Sequence, residues 1–239
     1  MAEPLLEVSG LVKRFGGFTA LNKVSLSVKP GERFGLIGPN GSGKTTMINC
    51  ISGALPVDGG SIRFEGREIT TLPPHQRTRL GIVRSFQIPK PFTSMTVREN
   101  LGIPLEYAAA GRIRDEDAEA AEILRDIGLD AKAHLRPAGL TQIEMRKLEL
   151  ARAMAARPKL LIPDEAMAGL SSAEVDDILA ILFRLNESGI TIIMIEHIMR
   201  AVMRFSQRIV VLDAGERIAE GTPEEIVRNP AVEKAYLGE

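Results

Sequence analysis

The sequence predicts an α/β protein built on a parallel sheet covered by helices, and three observations predict it. Short apolar runs alternate with helix-spaced segments over residues 160–212, a glycine-rich loop at residues 38–43 joins an apolar run to a helical one, and a long helical stretch interrupts the strands between residues 96 and 156. In open sheets of this kind, ligands collect at the carboxyl ends of the strands. The 239 residues suffice for one large domain or a domain with an inserted lobe.

The elements follow in order. Strands are expected at 5–12 and at 21–28, the second with alternating Val24, Leu26 and Val28; the turn Lys29-Pro30-Gly31-Glu32 then leads to a strand at 33–37. A helix starts after Gly43. Strands at 61–64 and 82–86 are separated by a turn-rich stretch at 70–74 and a short polar helix at 75–80. Ala118, Ala121, Ile123, Leu124 and Ile127 share one helical face while Asp115, Glu116, Glu119, Arg125 and Asp126 lie largely on another, which marks an inserted helical lobe. A strand at 160–162, helix 173–186, strand 191–195, helix 198–204 and strand 208–212 complete the alternation.

Composition narrows the function classes. A chain that is 44% hydrophobic and 26% charged, with a net charge of -1, is neither disordered nor built to coat nucleic acid, so no nucleic-acid partner is expected. Cys50 is the only cysteine, which excludes an intrachain disulfide and a cysteine-based zinc site and fits a reducing compartment. It is expected as a small buried apolar residue. Acidic Glu3 and Glu7 stand where a signal peptide has its basic start, so export is not expected. The greasiest run, 189–195, is far shorter than the roughly 20 residues of a membrane-spanning helix. Work at a membrane would require docking.

Gly38-Pro39-Asn40-Gly41-Ser42-Gly43-Lys44-Thr45 fits the phosphate-loop pattern Gly-x4-Gly-Lys-Ser/Thr, in the strand-to-helix context it demands. Glycines permit close backbone approach, so that successive N–H groups and the following helix N-terminus can cradle the phosphates of ATP. Lys44 is expected to neutralise the β and γ phosphates, Thr45 to give its hydroxyl to Mg2+, and Thr46 to donate to the α phosphate. The bland alternative, a glycine turn with a surface lysine, leaves the flanking strand and helix unexplained. Leu160-Leu161-Ile162-Pro163-Asp164-Glu165 is an apolar strand ending in two acids. Asp164 would hold Mg2+, directly or through water, and Glu165 would polarise the attacking water as general base. Alone, such a pair reads as a solvated loop; beside a phosphate loop it reads as catalytic.

These motifs together resemble the ATPase subunits of ABC transporters, and the resemblance covers essentially the whole chain. It implies a P-loop NTPase (RecA-like) core with an N-terminal antiparallel β subdomain and an inserted α-helical subdomain. Residues 1–87 and 157–239 would form the nucleotide-binding core, and 88–156 the helical subdomain. Phe15, in Lys13-Arg14-Phe15-Gly16, resembles the aromatic on which adenine stacks. Gln87, in Arg84-Ser85-Phe86-Gln87, resembles the glutamine that touches Mg2+ and the nucleophilic water. Ala168-Gly169-Leu170-Ser171 resembles the loop that crosses to a second subunit, and His197, in Glu196-His197, the switch histidine that senses the γ phosphate. Taken singly, Phe15 reads as a core aromatic, Gln87 as a solvated amide and His197 as a structural histidine; their order around the loop favours the functional roles.

The resemblance further implies partners and location: membrane permease subunits, a second ATPase subunit that is identical or related, an external solute-binding protein in the case of import, and a place on the cytoplasmic face of the cell membrane. Within the family the chain is most similar to ATPases of branched-chain amino-acid uptake. Gly81-Ile82-Val83-Arg84-Ser85-Phe86-Gln87, the long helical insertion, Ile195-Glu196-His197, Glu220-Gly221-Thr222-Pro223-Glu224-Glu225 and the ending Ala235-Tyr236-Leu237-Gly238-Glu239 carry that likeness. Lipopolysaccharide-export ATPases have a similar tail and are the alternative. A soluble ATPase of DNA repair or translation would need a coiled-coil insertion or a second ATPase domain. A nucleotide-sensing regulator of low turnover is the other rival.

That last rival draws on a departure from the family pattern. Where the family signature is Leu-Ser-Gly-Gly-Gln, this chain has Leu140-Thr141-Gln142-Ile143-Glu144. Thr141 keeps the hydroxyl that would meet the partner's nucleotide, but Ile143 puts a β-branched side chain where close backbone approach is expected. The site shared between this signature and a partner's phosphate loop is therefore expected to be weakened or reshaped. Pro163 is expected as the last residue of its strand, and Ala166 stands where the family commonly has proline. Residues 88–95, rich in proline and apolar side chains, read either as a packed connector or as part of a groove for a cytoplasmic helix of the permease.

Overall fold

The computed structural model describes residues 3–85, 89–108 and 115–237. The chain opens with an antiparallel hairpin, β1 (Leu6–Phe15) and β2 (Phe18–Val28), in which Phe15 pairs with Phe18 across the two-residue turn Gly16-Gly17. Both strands reach further toward that turn than alternation implies, because exposed Arg14, Phe15 and Phe18 have no buried face to report. β3 (Arg33–Ile37) runs into the glycine-rich loop and α1 (Lys44–Ser52). β4 (Gly59–Phe64) and β5 (Arg67–Glu68) then complete a four-stranded sheet in the order β2-β1-β4-β5.

After α2 (Pro74–Leu80) and β6 (Ile82–Arg84) come three helices that pack on one another, α3 (Glu99–Ala108), α4 (Glu116–Ile127) and α5 (Gln142–Ala155). β7 (Leu160–Ile162), α6 (Ser172–Glu187), β8 (Thr191–Met194), α7 (Met199–Phe205) and β9 (Arg208–Asp213) follow, then the edge strand β10 (Glu216–Gly221) and two short helices, α8 (Pro223–Val227) and α9 (Pro230–Leu237). The second sheet has the order β10-β9-β3-β8-β7-β6; all its neighbours are parallel except β10 against β9.

This second sheet is covered on both faces. Leu161, Ile192, Met194, Ile209 and Val211 point into a core shared with α5, α6 and α7. Their chain neighbours Leu160, Ile162, Ile193, Val210 and Leu212 point into a second core shared with α1 and the first sheet. Period-two alternation between two apolar layers is what a buried parallel sheet requires. Because β3, β8 and β7 lie side by side and parallel, the segments that follow them, 38–43, 195–197 and 163–165, emerge together at one edge. Pro163 falls just beyond β7 rather than ending it: the strand stops at Ile162, and Pro163, lacking an N–H, only accepts, from Ile195 N at 3.3 Å.

Helix α1 is finished at one end and open at the other. Its C-terminal carbonyls of Cys50 and Ile51 accept from Arg77 Nη1 at 2.6 and 2.8 Å, while the same buried guanidinium donates to Thr70 O and Leu72 O. Cys50 is buried against this cluster, and burial pushes its thiol up to about 11. At the N-terminus, Gly43 (φ 106°) supplies no side-chain cap and no acid occupies the first turn. Helices α4, α5, α6 and α8 are instead capped by Asp115, Thr141, Ser171 and Thr222. Among the described residues, no helix is long and apolar enough to cross a membrane.

One buried charge links the sheet edge to the helices. Glu196, 3% exposed just after β8, accepts from Met167 N at 2.9 Å. Burial pushes its carboxyl up to about 7, the Met167 and His197 N–H groups and the Arg146 charge pull it down, and Glu165 pushes it up. An acid whose folded pKa exceeds its unfolded value of 4.5 holds its proton longer in the native state. Its contribution is therefore retained below pH 4.5 and lost as pH rises toward 7, by about 3 kcal/mol. Glu196→Gln carries no charge at any pH. In urea denaturation at pH 5 and pH 8, the variant should lose less stability over that interval than the wild type, by an amount of that order; equal losses would show that the fold does not raise the Glu196 pKa.

Candidate functional site

Three constraints shape the loop after β3. At Gly38 (φ 152°) an added Cβ would lie 2.0 Å from Leu212 O, and at Gly43 (φ 106°) 2.8 Å from Ala20 O, so both positions demand glycine on steric as well as conformational grounds. Ser42 N donates to Pro39 O at 3.2 Å, closing the loop on itself. The Ser42 hydroxyl is buried and, among the described residues, finds no hydrogen-bond partner. An orphaned hydroxyl beside an uncapped helix N-terminus makes an anion cradle that fits the phosphates of a nucleotide.

Lys44, 6% exposed, folds back over the cradle; its Nζ donates to Gly38 O at 2.8 Å and Pro39 O at 2.9 Å. Burial lowers its pKa, and the charges of Glu165 and Asp164 oppose that shift. Beside it, an opening of about 290 Å3 is walled by Asn40, Gly41, Gly43, Thr45 and Thr46 on the loop side and by Glu165 and His197 opposite. Phe15, 48% exposed, closes the remaining side with Phe18, which sequence reasoning passed over. An exposed aromatic at the rim of a phosphate cradle presents a free face to a base; a core aromatic would be covered.

The two acids after β7 have different surroundings. Asp164 forms a parallel bridge with Ile195, and its Oδ2 is ion-paired with Arg84 Nη2. Glu165 adopts φ 48°, sparsely populated for a residue with a side chain, while its N–H donates to Ile195 O at 2.9 Å. Such strain is held by the parallel strand beside it and aims the carboxylate into the opening. There Glu165 Oε1 lies 3.0 Å from His197 Nε2. A carboxylate only accepts, so the imidazole is the donor. Lys44, Glu165 and His197 thus meet although they lie on three segments of the chain.

Thr141 stands apart from this opening. It caps α5 in a capping box: Thr141 N donates to Glu144 Oε2 at 2.8 Å, and Glu144 N donates to Thr141 Oγ1 at 3.4 Å. Glu144 also takes Lys132, and Ile143 turns inward against the core. Gln87, expected to join the catalytic group, lies outside the described residues. Other groups escaped sequence reasoning: Arg84 and Asn49 behind Asp164, and Tyr236, whose hydroxyl meets the Gly38 backbone and whose pKa burial raises.

Comparison with known proteins converges on the same features. Residues 21–168 match the family model described as ABC transporter, and residues 216–239 that of the branched-chain amino acid ATP-binding cassette transporter. The high-affinity branched-chain amino acid transport ATP-binding protein BraF of Pseudomonas aeruginosa is 42% identical, and its LivG counterpart of Escherichia coli 41%, each over the full length of both chains. Among solved structures, the ADP conformation of MJ1267, an ATP-binding cassette of an ABC transporter, superposes with a TM-score of 0.89 at 33% identity, covering all of both chains. The cassette MJ0796, dimeric in a post-hydrolysis state with ADP and phosphate, gives 0.81 at 27% identity over 91% of this chain and 98% of its own. Cradle, acids and whole-chain likeness agree: the chain has the P-loop NTPase fold and belongs to the ABC transporter family, as an ATP-binding and ATP-hydrolysing subunit.

Proposed function

We propose that this subunit powers import of branched-chain amino acids or closely similar solutes through separate membrane permeases, working from the cytoplasmic face with a solute-binding protein outside. The observation that carries this reading is the terminal match over residues 216–239, together with full-length relatives named for that transport. Lipopolysaccharide export is the alternative that a similar tail leaves open.

The residue roles follow from chemistry. The N–H groups of Gly41 to Thr46 and Lys44 Nζ bind the phosphates, Lys44 exchanging its two carbonyl partners for phosphate oxygens. Thr46 donates to the α phosphate, and Phe15 stacks on adenine. Thr45 and Asp164 would hold Mg2+, with Gln87 as a further ligand; when bound, magnesium would supply positive charge that offsets the charge of the phosphates. Few protein ligands suffice there, because the phosphates complete the set. Glu165 takes a proton from the attacking water, and His197 orients that carboxylate and reads the γ phosphate.

Closure would require a second ATPase subunit whose signature helix covers the opening. In this chain two donors at the start of α5, Thr141 N and Glu144 N, are already engaged in the capping box, and the Glu144 carboxylate sits at the helix start. Both features support a weakened or reshaped shared site, since an approaching phosphate would meet a like charge. The division of labour we propose keeps residues 1–87 and 157–239 as the nucleotide-binding core and 88–156 as the lobe that moves.

The moving lobe needs a contact with the permease. A groove of about 590 Å3 runs between α2, β6, α3 and α5, with Pro74, Val83, Ile103, Pro104 and Tyr107 among its walls. Arg152, also in its wall, has its guanidinium 5.0 Å from the Phe92 ring and donates to Lys90 O at 2.9 Å. This groove is suited to a cytoplasmic helix of the permease.

Glu165→Gln should retain ATP while turnover falls by about 10²-fold or more, the scale of a lost general base; single-turnover phosphate release checks it, and an unchanged rate would remove Glu165 from that role. Phe92→Asp should abolish co-purification with the permease and spare ATP binding by the isolated subunit. Intact co-purification would remove residues 88–95 from the interface.

A further inference from the structure

Arg84 closes β6 in register with Ile162 on β7, so its Cα is fixed two residues short of Asp164. Its guanidinium bridges two parts of the site: Nη1 donates to Asn49 Oδ1 on α1 at 2.5 Å, and Nη2 pairs with Asp164 Oδ2. The paired side chains are only 14% and 7% exposed. A planar guanidinium holding an amide on one nitrogen and a carboxylate on the other is pre-organised in a way a lysine cannot match. The carboxylate assigned to magnesium therefore already has a cation of its own.

The charge balance gives that pairing a consequence. The carboxylates of Asp164 and Glu165 act on the Lys44 cation, and Arg84 pairs with Asp164, so that two of the acids are offset by two cations. A bare divalent ion entering this balanced group would be repelled by two fixed positive charges and would have to displace a guanidinium from a largely buried carboxylate. A triphosphate reverses the balance by bringing several negative charges against Lys44. We propose that Arg84 is a resident counter-ion of Asp164 that keeps divalent metal out of the site until nucleotide arrives, so that metal and ATP enter together. This rests on the reading of Asp164 as a metal carboxylate. Arg84 acts through Asp164 and is a positioning residue.

The probe is manganese(II) alone, titrated into the full-length, nucleotide-free subunit and followed by electron paramagnetic resonance. Arg84→Gln should raise manganese affinity by about tenfold or more, the scale on which one neighbouring charge acts on a carboxylate. Arg84→Lys, which keeps the charge but not the two-nitrogen geometry, should fall between the wild type and Arg84→Gln, and Asp164→Asn should cancel the gain. A merely structural arginine would lower stability without moving metal affinity. Equal manganese binding by wild type and Arg84→Gln overturns the proposal. The wild type alone supplies a second test: magnesium without nucleotide should leave its melting temperature unchanged while magnesium with ATP raises it. A rise with magnesium alone overturns the counter-ion; no rise even with ATP overturns the nucleotide-site reading beneath it.

Discussion

The molecule turns on a helix N-terminus that the protein declines to satisfy. Four other helices begin on an Asp, Ser or Thr cap; α1, like the shorter α2 and α7, has neither a side-chain cap nor an acid in its first turn, and it begins at a glycine with positive φ. Its C-terminus is treated oppositely, with two carbonyls locked by buried Arg77. The helix is thus anchored where it could fray and left electropositive at the end that faces the glycine-rich loop. Lys44 and the Ser42 hydroxyl complete a cradle whose polar groups are only partly satisfied by the protein itself.

A parallel sheet makes that cradle reactive. Neighbouring strands β3, β8 and β7 release their chains at the same edge, so a phosphate-binding loop, a histidine and two acids meet without any of the three segments being long. The local strain at Glu165 is sustained by its N–H bond to Ile195 and by the bridge between Asp164 and Ile195. Behind this edge, Glu196 accepts from Met167 N, and Arg146 on α5 donates to Ala168 O at 3.1 Å. The segment after Glu165 is therefore held from the sheet on one side and from the helical lobe on the other.

Much of this was legible in the sequence because it is local. The phosphate loop is a spacing of residues within one short segment, the acids follow an apolar triplet after a single proline, and the alternation over residues 160–212 reports a sheet buried on both faces. What escaped is either short or remote. β5 has too few residues for periodicity to register, and β10 buries only one of its six. Arg84 reads as an ordinary charged residue until the fold brings it against Asp164, 80 positions away, and Asn49, 35 away. Arg77 likewise caps a helix 26 and 27 residues upstream. The signature shows a finer limit: the β-branched Ile143 suggested an outward obstruction, whereas the helix turns it inward and the capping box takes its place as the local departure.

The most direct measurement of the central claim is calorimetric titration of magnesium and ATP into the wild-type subunit and Lys44→Ala. An open helix N-terminus completed by Lys44 predicts saturable heat for the wild type and its loss in the variant. Undiminished affinity in Lys44→Ala, or no magnesium-dependent heat in the wild type, would contradict the account.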